Sequence, residues 1–431
     1  MFATFIQQDM SWFYRVLSLS GLLVFIAIAW VLSVDRKNIS WKTVIWGVAL
    51  QFIFAAIVLQ PSMQKIFFTT VSGVVKQLLF FAEEGGRFIF GALPDSSKPG
   101  TEYVESITLV DLKNMSAEPK STLVIGSYAP SMRNIAFLII LPTIIFFSSL
   151  MSVLYHMGIM QRIVFALAWV MKRTMGTTGP ESLSAAANIF VGQTEAPLMI
   201  KPYIEKMHRS ELHAVMTGGF ATVAGGIMAI YVAMLESQIP NIAGHLVAAS
   251  IISAPAALAV SKIMWPMPAQ EQEEETELVL TVEKHHQNVV EAAAMGASEG
   301  MKLVLNVLAM LVAFVGLIAM INWGLNLIPM GGAPLSLERI LGWIFSPLAF
   351  CMGVPWDEAP IIGKLLGEKL VLTEFIAYLN LAKLSAAEQP VISERSAIIA
   401  SYALCGFANF ASIGIQIGGT PDYHHRELRS S

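Results

Sequence analysis

The sequence predicts an all-α integral membrane protein whose two halves repeat in opposite orientation, each with a re-entrant helical hairpin and a broken transmembrane helix. Three observations carry this expectation. The 431 residues are 55% hydrophobic and only 13% charged, with a mean hydropathy of +0.62, too little charge to clothe a soluble globule of this size. Apolar stretches long enough to cross roughly 30 Å of hydrocarbon recur along the chain. Finally, one phrase occurs twice: a polar stretch carrying Thr-Glu, then an apolar helix that begins Ser-Glu and continues through Gly-Phe-Ala.

The first copy runs from Pro180 through Gly192-Gln193-Thr194-Glu195-Ala196-Pro197 to Ser210-Glu211 and Gly219-Phe220-Ala221-Thr222-Val223. The second runs from Pro355 through Thr373-Glu374-Phe375 to Ser393-Glu394 and Gly406-Phe407-Ala408-Asn409-Phe410. Paired segments that interrupt hydrophobic sequence with polar groups and helix breakers point to the central binding site of a secondary transporter. The fold expected is therefore an inverted-repeat transporter.

Taken in order, spans are expected near residues 17–33, 43–60, 134–156, 211–235, 244–264, 304–327 and 396–418. Shorter or amphipathic stretches at 64–82, 158–171 and 337–354 read as helices lying in the interface. The start of the chain lacks a basic run or cleavage site, so the first apolar segment is expected to be retained. Arg36, Lys37 and Lys42 hold the first loop in the cytoplasm and place the amino terminus outside. Residues 1–133 then hold the N-terminal spans, an amphipathic helix and an external loop from Glu83 to Arg133. Residues 134–265 hold the third span, an interfacial helix, the first hairpin and the first repeat helices.

Arg162, Lys172 and Arg173 precede the stretch from Thr177 to Tyr203, and Lys201, Lys206, His208 and Arg209 lie at its other end. A segment with basic anchors at both ends enters and leaves on the same side. Its Pro180, Glu181, Asn188, Gln193, Glu195 and Pro197 suit protein or a wet cavity and not lipid. Residues 266–303 read as a cytoplasmic acidic linker, with Glu271, Glu273, Glu274, Glu275 and Glu277, and with His285 and His286 lacking a third metal ligand nearby. Residues 304–419 cross back, carry an interfacial helix and insert the second hairpin, Asp357 to about Lys383, from the outside. Cys351 and Cys405 read as small apolar residues.

Gln193, Thr194 and Glu195 are consecutive, so they converge on one ligand only at a hairpin tip and not on a continuous helix. An ionised acid mid-membrane costs roughly 2.5–3.5 kcal/mol on insertion scales, which makes Glu195 and Glu374 site candidates, with the capping of a half-helix as the plainer role. Asn409 and Ser412, spaced to share a helix face, either bind ligand or join helices, and the glycines around Thr222 either pack helices or let one unwind. An amide, a hydroxyl, a carboxylate and the Phe407 ring suit a neutral polyhydroxylated ligand with a flat ring. Zinc-protease, nucleophile-elbow and Walker signatures are absent, so neither an enzyme nor an ATP-driven pump is expected.

The Gly192 to Leu198 motif, Ser253-Ala254-Pro255-Ala256, Gly353-Val354-Pro355-Trp356, Glu374 to Tyr378 and Tyr402 to Phe410 closely resemble the concentrative nucleoside transporters, over nearly everything from Ser11 to Gly419. The resemblance implies a homotrimer in the cell (inner) membrane that binds a nucleoside and no nucleic acid, importing it with a cation by an elevator-like shift of the domain holding both hairpins. It places Gln193, Thr194 and Glu195 at the nucleobase, Ile227 and Phe407 on its faces, and Glu374, Asn409 and Ser412 at the ribose. It places sodium, the only ion implied and no other cofactor, at Asn188, Val191, Thr222 and Val223. Proton coupling through Glu195 or Glu374 is the alternative. Where family chains continue into a further span, residues 420–431 form a polar tail, read as a truncated or shifted frame or else a naturally shorter variant.

Overall fold

A computed structural model describes residues 2–90, 106–108, 122–124, 136–193, 195–204, 206–268, 287–327, 329–330, 333–386 and 391–419. Their regular structure is helical apart from two short antiparallel pairs, β1 (Ser106–Thr108) with β2 (Thr122–Val124) and β3 (Pro329–Met330) with β4 (Ala333–Pro334). The acidic run, His285 and His286, most of the expected external loop and the tail from Thr420 lie outside the described residues.

The chain opens with α1 (Phe2–Val31), α2 (Trp41–Leu59) and α3 (Pro61–Phe90). Between the first two, the Asp35 carboxylate accepts from Asn38 Nδ2 at 2.6 Å and from the Lys37 amide at 3.1 Å, which closes the loop and holds its pKa below the usual carboxylate value. By length and composition α3 is long and apolar enough to cross a membrane over Met63–Gly86, so those criteria alone do not make 64–82 an interfacial helix. Its contacts describe its path. Phe68 meets His245 near the start of one later helix at 4.8 Å, and Lys76 pairs with Glu236 at the end of the helix before it at 2.6 Å, so two points well apart on α3 touch neighbouring helix ends.

Next come α4 (Ala136–His156) and α5 (Ile159–Met175), which bend 77° from one another at Gly158. The first hairpin follows as α6 (Gly179–Asn188), a 3-10 turn (Ala196–Ile200) and the short α7 (Lys201–Ile204). Every residue of α6 is buried, which answers how a segment so rich in Ser and Ala is kept from lipid. The span expected at 211–235 is two helices, α8 (Arg209–Ala221) and α9 (Gly225–Leu235), and α10 (Ile242–Met264) closes the half. The cap of α8 is His208, which accepts from the Ser210 amide, two residues earlier than the Ser-Glu pair suggests.

α11 (Val289–Leu325) starts well inside the stretch read as linker. Asn288 Oδ1 accepts from the Glu291 amide at 2.9 Å while Glu291 accepts from Gln287, which starts the helix there. Gly296 and Gly300 then bring it against Ser148, Ser149 and Ile145 of α4, where a Cβ would overlap. The other face of α11 is open and apolar, with Val312 78% and Trp323 71% exposed, as expected of a surface meant for lipid or another protein.

The second half continues with α12 (Leu337–Cys351), a second hairpin of α13 (Ala359–Val371) and α14 (Glu374–Ser385), then α15 (Glu394–Leu404) and α16 (Phe410–Gly419). The apolar stretch 396–418 is thus also a broken helix. Two buried apolar clusters seat the hairpins, the first within the first half and the second across both halves. One gathers Leu183 and Ala185–Ala187 of the first hairpin with Met171, Met175 and Leu258; the other gathers Phe375, Tyr378 and Leu381 of the second with Ile230, Leu235 and Leu246.

α10 serves as a ruler for orientation. Ser210 Oγ donates to Trp265 O at 2.6 Å and His213 lies 2.7 Å from Ser261 Oγ, so α8 runs antiparallel to α10 from its C-terminal end. Tyr402 lies 3.3 Å from His245, and Cys405 lies 3.8 Å from Ser250. α15 therefore runs parallel to α10, and the first halves of the two broken helices point at each other. That is the inverted repeat expected from the sequence.

Candidate functional site

The two breaks meet. At the end of α8, Thr222 turns out of the helix (φ −125°, ψ 164°); at the end of α15, Cys405 does the same (φ −71°, ψ 85°). Phe407 N then donates to Thr222 O at 3.3 Å, from one repeat to the other. Gly406 permits this crossing, because a Cβ there would lie 2.7 Å from Phe220 O and 2.9 Å from Ala221 O. Close backbone approach, and not a turn, is what this glycine serves.

On the second-hairpin side, Glu374 opens α14 and is 5% exposed. Tyr231 Oη donates to its Oε1 at 3.0 Å and Asn409 Nδ2 to its Oε2 at 2.8 Å. Tyr231 stacks on Tyr378 with ring centroids 4.0 Å apart, so a rigid aromatic pair fixes the carboxylate from behind. Asn409 Oδ1 in turn accepts from Ser412 N at 2.7 Å. Asn409 and Ser412 therefore do not share a face of one helix: Asn409 lies in the break and caps α16, a geometry that a continuous helical wheel cannot show.

On the first-hairpin side, Gln193 is buried and accepts from Gln416 Nε2 at 3.0 Å; the same nitrogen reaches Met216 O at 3.3 Å. Gln416 of α16 thereby ties the first hairpin's tip to α8. Glu195 is exposed, and its Oε2 accepts from Gly192 N at 2.6 Å. Thr194 lies outside the described residues. Among the described residues no hydrogen bond joins Glu195 to Glu374; one carboxylate is open and the other sealed.

The remaining residues lie where the first hairpin meets the end of α8. Asn188, the last residue of α6, is 1% exposed, and neither of its side-chain polar atoms has a partner. A Cβ on Gly218 would lie 3.3 Å from its Nδ2. Thr222 Oγ1 donates to Gly218 O at 3.2 Å, leaving its lone pairs free. Val223 is fully buried and Val191 half-buried, and Gly225 N donates to Phe190 O at 2.9 Å, closing the tip onto α9. Ile227 is buried on α9 and Phe407 half-buried in the break.

Four supporting residues escaped the sequence reading. Tyr231 and Gln416 act across the repeats and Lys369 within the second, and only their polarity inside apolar helices marked them. Lys262 of α10 pairs with Glu181 at 2.6 Å, both buried, and donates to Ser210 Oγ at 3.0 Å, fastening the first hairpin's base. In the second repeat Glu358 does similar work, accepting from Ser393 N at 3.0 Å and from Ser393 Oγ at 2.9 Å.

Oppositely oriented hairpins, helices broken where they cross, and uncommitted oxygens at the crossing define a multi-pass secondary-transporter fold. Three stretches of the sequence narrow the class. Residues 20–93 match the family described as Na+ dependent nucleoside transporter N-terminus, residues 137–238 match Nucleoside recognition, and residues 245–425 match Na+ dependent nucleoside transporter C-terminus. The chain belongs to the Na+ dependent nucleoside transporter family, a family of transporters and not of enzymes.

An uncharacterized transporter of Haemophilus influenzae is 42% identical over 406 residues, covering 93% of this chain and 88% of that protein. Sodium/nucleoside cotransporter 1 of Mus musculus is 37% identical over 420 residues, 94% of this chain but 58% of that protein. The chain thus spans little more than half the length of the mammalian relatives. Among solved structures, CNTnw in an inward-facing substrate-bound state matches with TM-score 0.79 at 39% identity, covering 94% of this chain and 89% of that one. CNTnw has also been solved in outward-facing and intermediate states.

Proposed function

We propose that this chain imports nucleosides across the cell (inner) membrane with sodium, as a homotrimer. The observation that carries the reading is the crossing of the two breaks, with the Glu374–Asn409 pair on one side and the unpartnered Asn188 amide on the other. Glu374 has one donor on each oxygen, so each keeps a lone pair for a sugar hydroxyl. Asn409 holds it at fixed distance, with Ser412 beside it. Gln193 and Glu195 supply acceptors for base edges, with Thr194 between them, and Phe407 and Ile227 supply apolar faces.

The residues at the end of α8 fit a hard cation. A half-helix C-terminus carries partial negative charge, and the Asn188 carbonyl and Thr222 hydroxyl add neutral oxygens beside the backbone of Val191 and Val223. One charge moving down 100 mV contributes about 2.3 kcal/mol, which at 1.4 kcal/mol per tenfold sustains a roughly 50-fold gradient of neutral substrate. Ordering of the first hairpin's tip by the ion presents Gln193 to the base, so ion and nucleoside each favour the other. We read α3 as lying across the outer end of the α9–α10 pair, because Lys76 reaches the end of α9 and Phe68 the start of α10.

Uptake of labelled uridine into vesicles, with an imposed sodium gradient at fixed pH, tests the proposal. Accumulation above the outside level is expected. Uptake driven by a pH gradient alone would move the coupling to a proton on Glu195 or Glu374.

A further inference from the structure

A broken helix leaves its last carbonyls without the amides that would follow in a continuous helix. In α15 two of the carbonyls so affected are Ser401 O and Ala403 O. Ser401 O would accept from Cys405 N, but that amide donates to Tyr402 O; Ala403 O would accept from Phe407 N, but that amide crosses to Thr222 O. The second hairpin replaces both donors. Tyr378 Oη donates to Ser401 O at 2.6 Å, and Lys369 Nζ donates to Ala403 O at 3.0 Å.

The repeats therefore treat equivalent helix ends differently. In the first, the last residue of the hairpin's leading arm is Asn188, neutral and unpartnered, beside the end of α8. In the second, the last turn of the leading arm carries Lys369, whose ammonium is already bonded to the end of α15. A compact ammonium with three donors is the side chain that most nearly replaces a metal cation at such an end. Glu374 also lies within reach of its field.

Resting on the sodium-coupled reading above, we propose that Lys369 is a tethered cation, the built-in counterpart in the second repeat of the mobile cation in the first. Its permanent place at the end of α15 limits the carrier to one coupled ion per nucleoside and keeps the second hairpin assembled without sodium. Sodium then controls the first hairpin only.

The test uses the full chain, reading the charge moved per uridine in liposomes and the sodium dependence of thermal unfolding of the purified protein. The wild type is expected to move one charge per uridine and to be stabilised by sodium with a limiting slope against ln[Na+] of about one RT, one ion bound per folded chain. Lys369→Ala opens the end of α15 to a free ion, so that slope rises from about one RT towards about two, and Lys369→Arg returns it to about one. A lysine that is merely structural lowers the melting temperature without changing that slope, and this result overturns the proposal. If Lys369→Ala does not accumulate, Lys369→Gln, which keeps a donor for Ala403 O without the charge, is read in its place. Two charges per uridine in the wild type overturns the proposal irrespective of the variants. Sodium-independent uptake would instead defeat the sodium-coupled reading, whereas sodium-dependent uptake with an unchanged slope defeats the tethered cation alone.

Discussion

Replacing Glu374 by Gln separates the charge of this group from its place in the packing. The carboxylate accepts one bond from Tyr231 and one from Asn409, and it is buried, so a variant that left either donor unpaired would unfold the crossing. Gln disturbs this least. Its carbonyl oxygen keeps the Asn409 bond, and its amide donates to the Tyr231 oxygen, so that the Tyr231 hydroxyl proton alone must turn to another acceptor. What disappears is the negative charge and one of the two lone pairs facing the ligand. A hydrogen bond to a charged group is worth about 1.5–3 kcal/mol, so uridine uptake efficiency should fall about 10- to 150-fold at unchanged membrane abundance. Sodium-driven uptake of labelled uridine, normalised to transporter in the same vesicles, reads the effect. Wild-type uptake at equal abundance would remove Glu374 from the site and refute the reasoning.

Three further outcomes follow from the geometry. Gly406→Ala forces a methyl group against the Phe220 and Ala221 carbonyls, so the Phe407–Thr222 bond should be lost, with uptake and melting temperature falling together. Lys262→Met leaves Glu181 charged and buried, a loss of about 3–5 kcal/mol read as a lower melting temperature, and adding Glu181→Gln should recover much of it. Thr222→Val, nearly isosteric, should raise the sodium concentration that half-saturates uptake while leaving uridine recognition at saturating sodium in place; an unchanged sodium dependence would take Thr222 out of the ion site.

The repeat and its inversion were legible because they depend on local rules. Prolines, a Thr-Glu pair and basic anchors at both ends of an apolar stretch mark a hairpin without any knowledge of tertiary contacts. The breaks were legible as glycine-rich, polar interruptions, but not their crossing, which depends on Gly406 meeting a backbone nearly two hundred residues away. Distance in sequence also hid the supports. Tyr231 reads as one more residue of an apolar helix until it meets Glu374, and Gln416 as a polar residue near a helix end until it meets Gln193. The start of α11 was hidden by its setting, since its Asn288 cap follows an acidic stretch that reads as linker. Length alone does not decide the path of α3, where an apolar run long enough to span meets Glu236 at the end of α9 and His245 in α10.

The central claim is that one nucleoside binds where the two breaks cross, between the first hairpin's tip and Glu374. A crystal of the chain grown with 5-iodouridine and sodium tests it through the anomalous signal of the iodine. The account predicts a single strong peak beside Phe407 on the Gln193 side, with the sugar against Glu374 and Asn409. A peak outside the space enclosed by the two hairpins would contradict it.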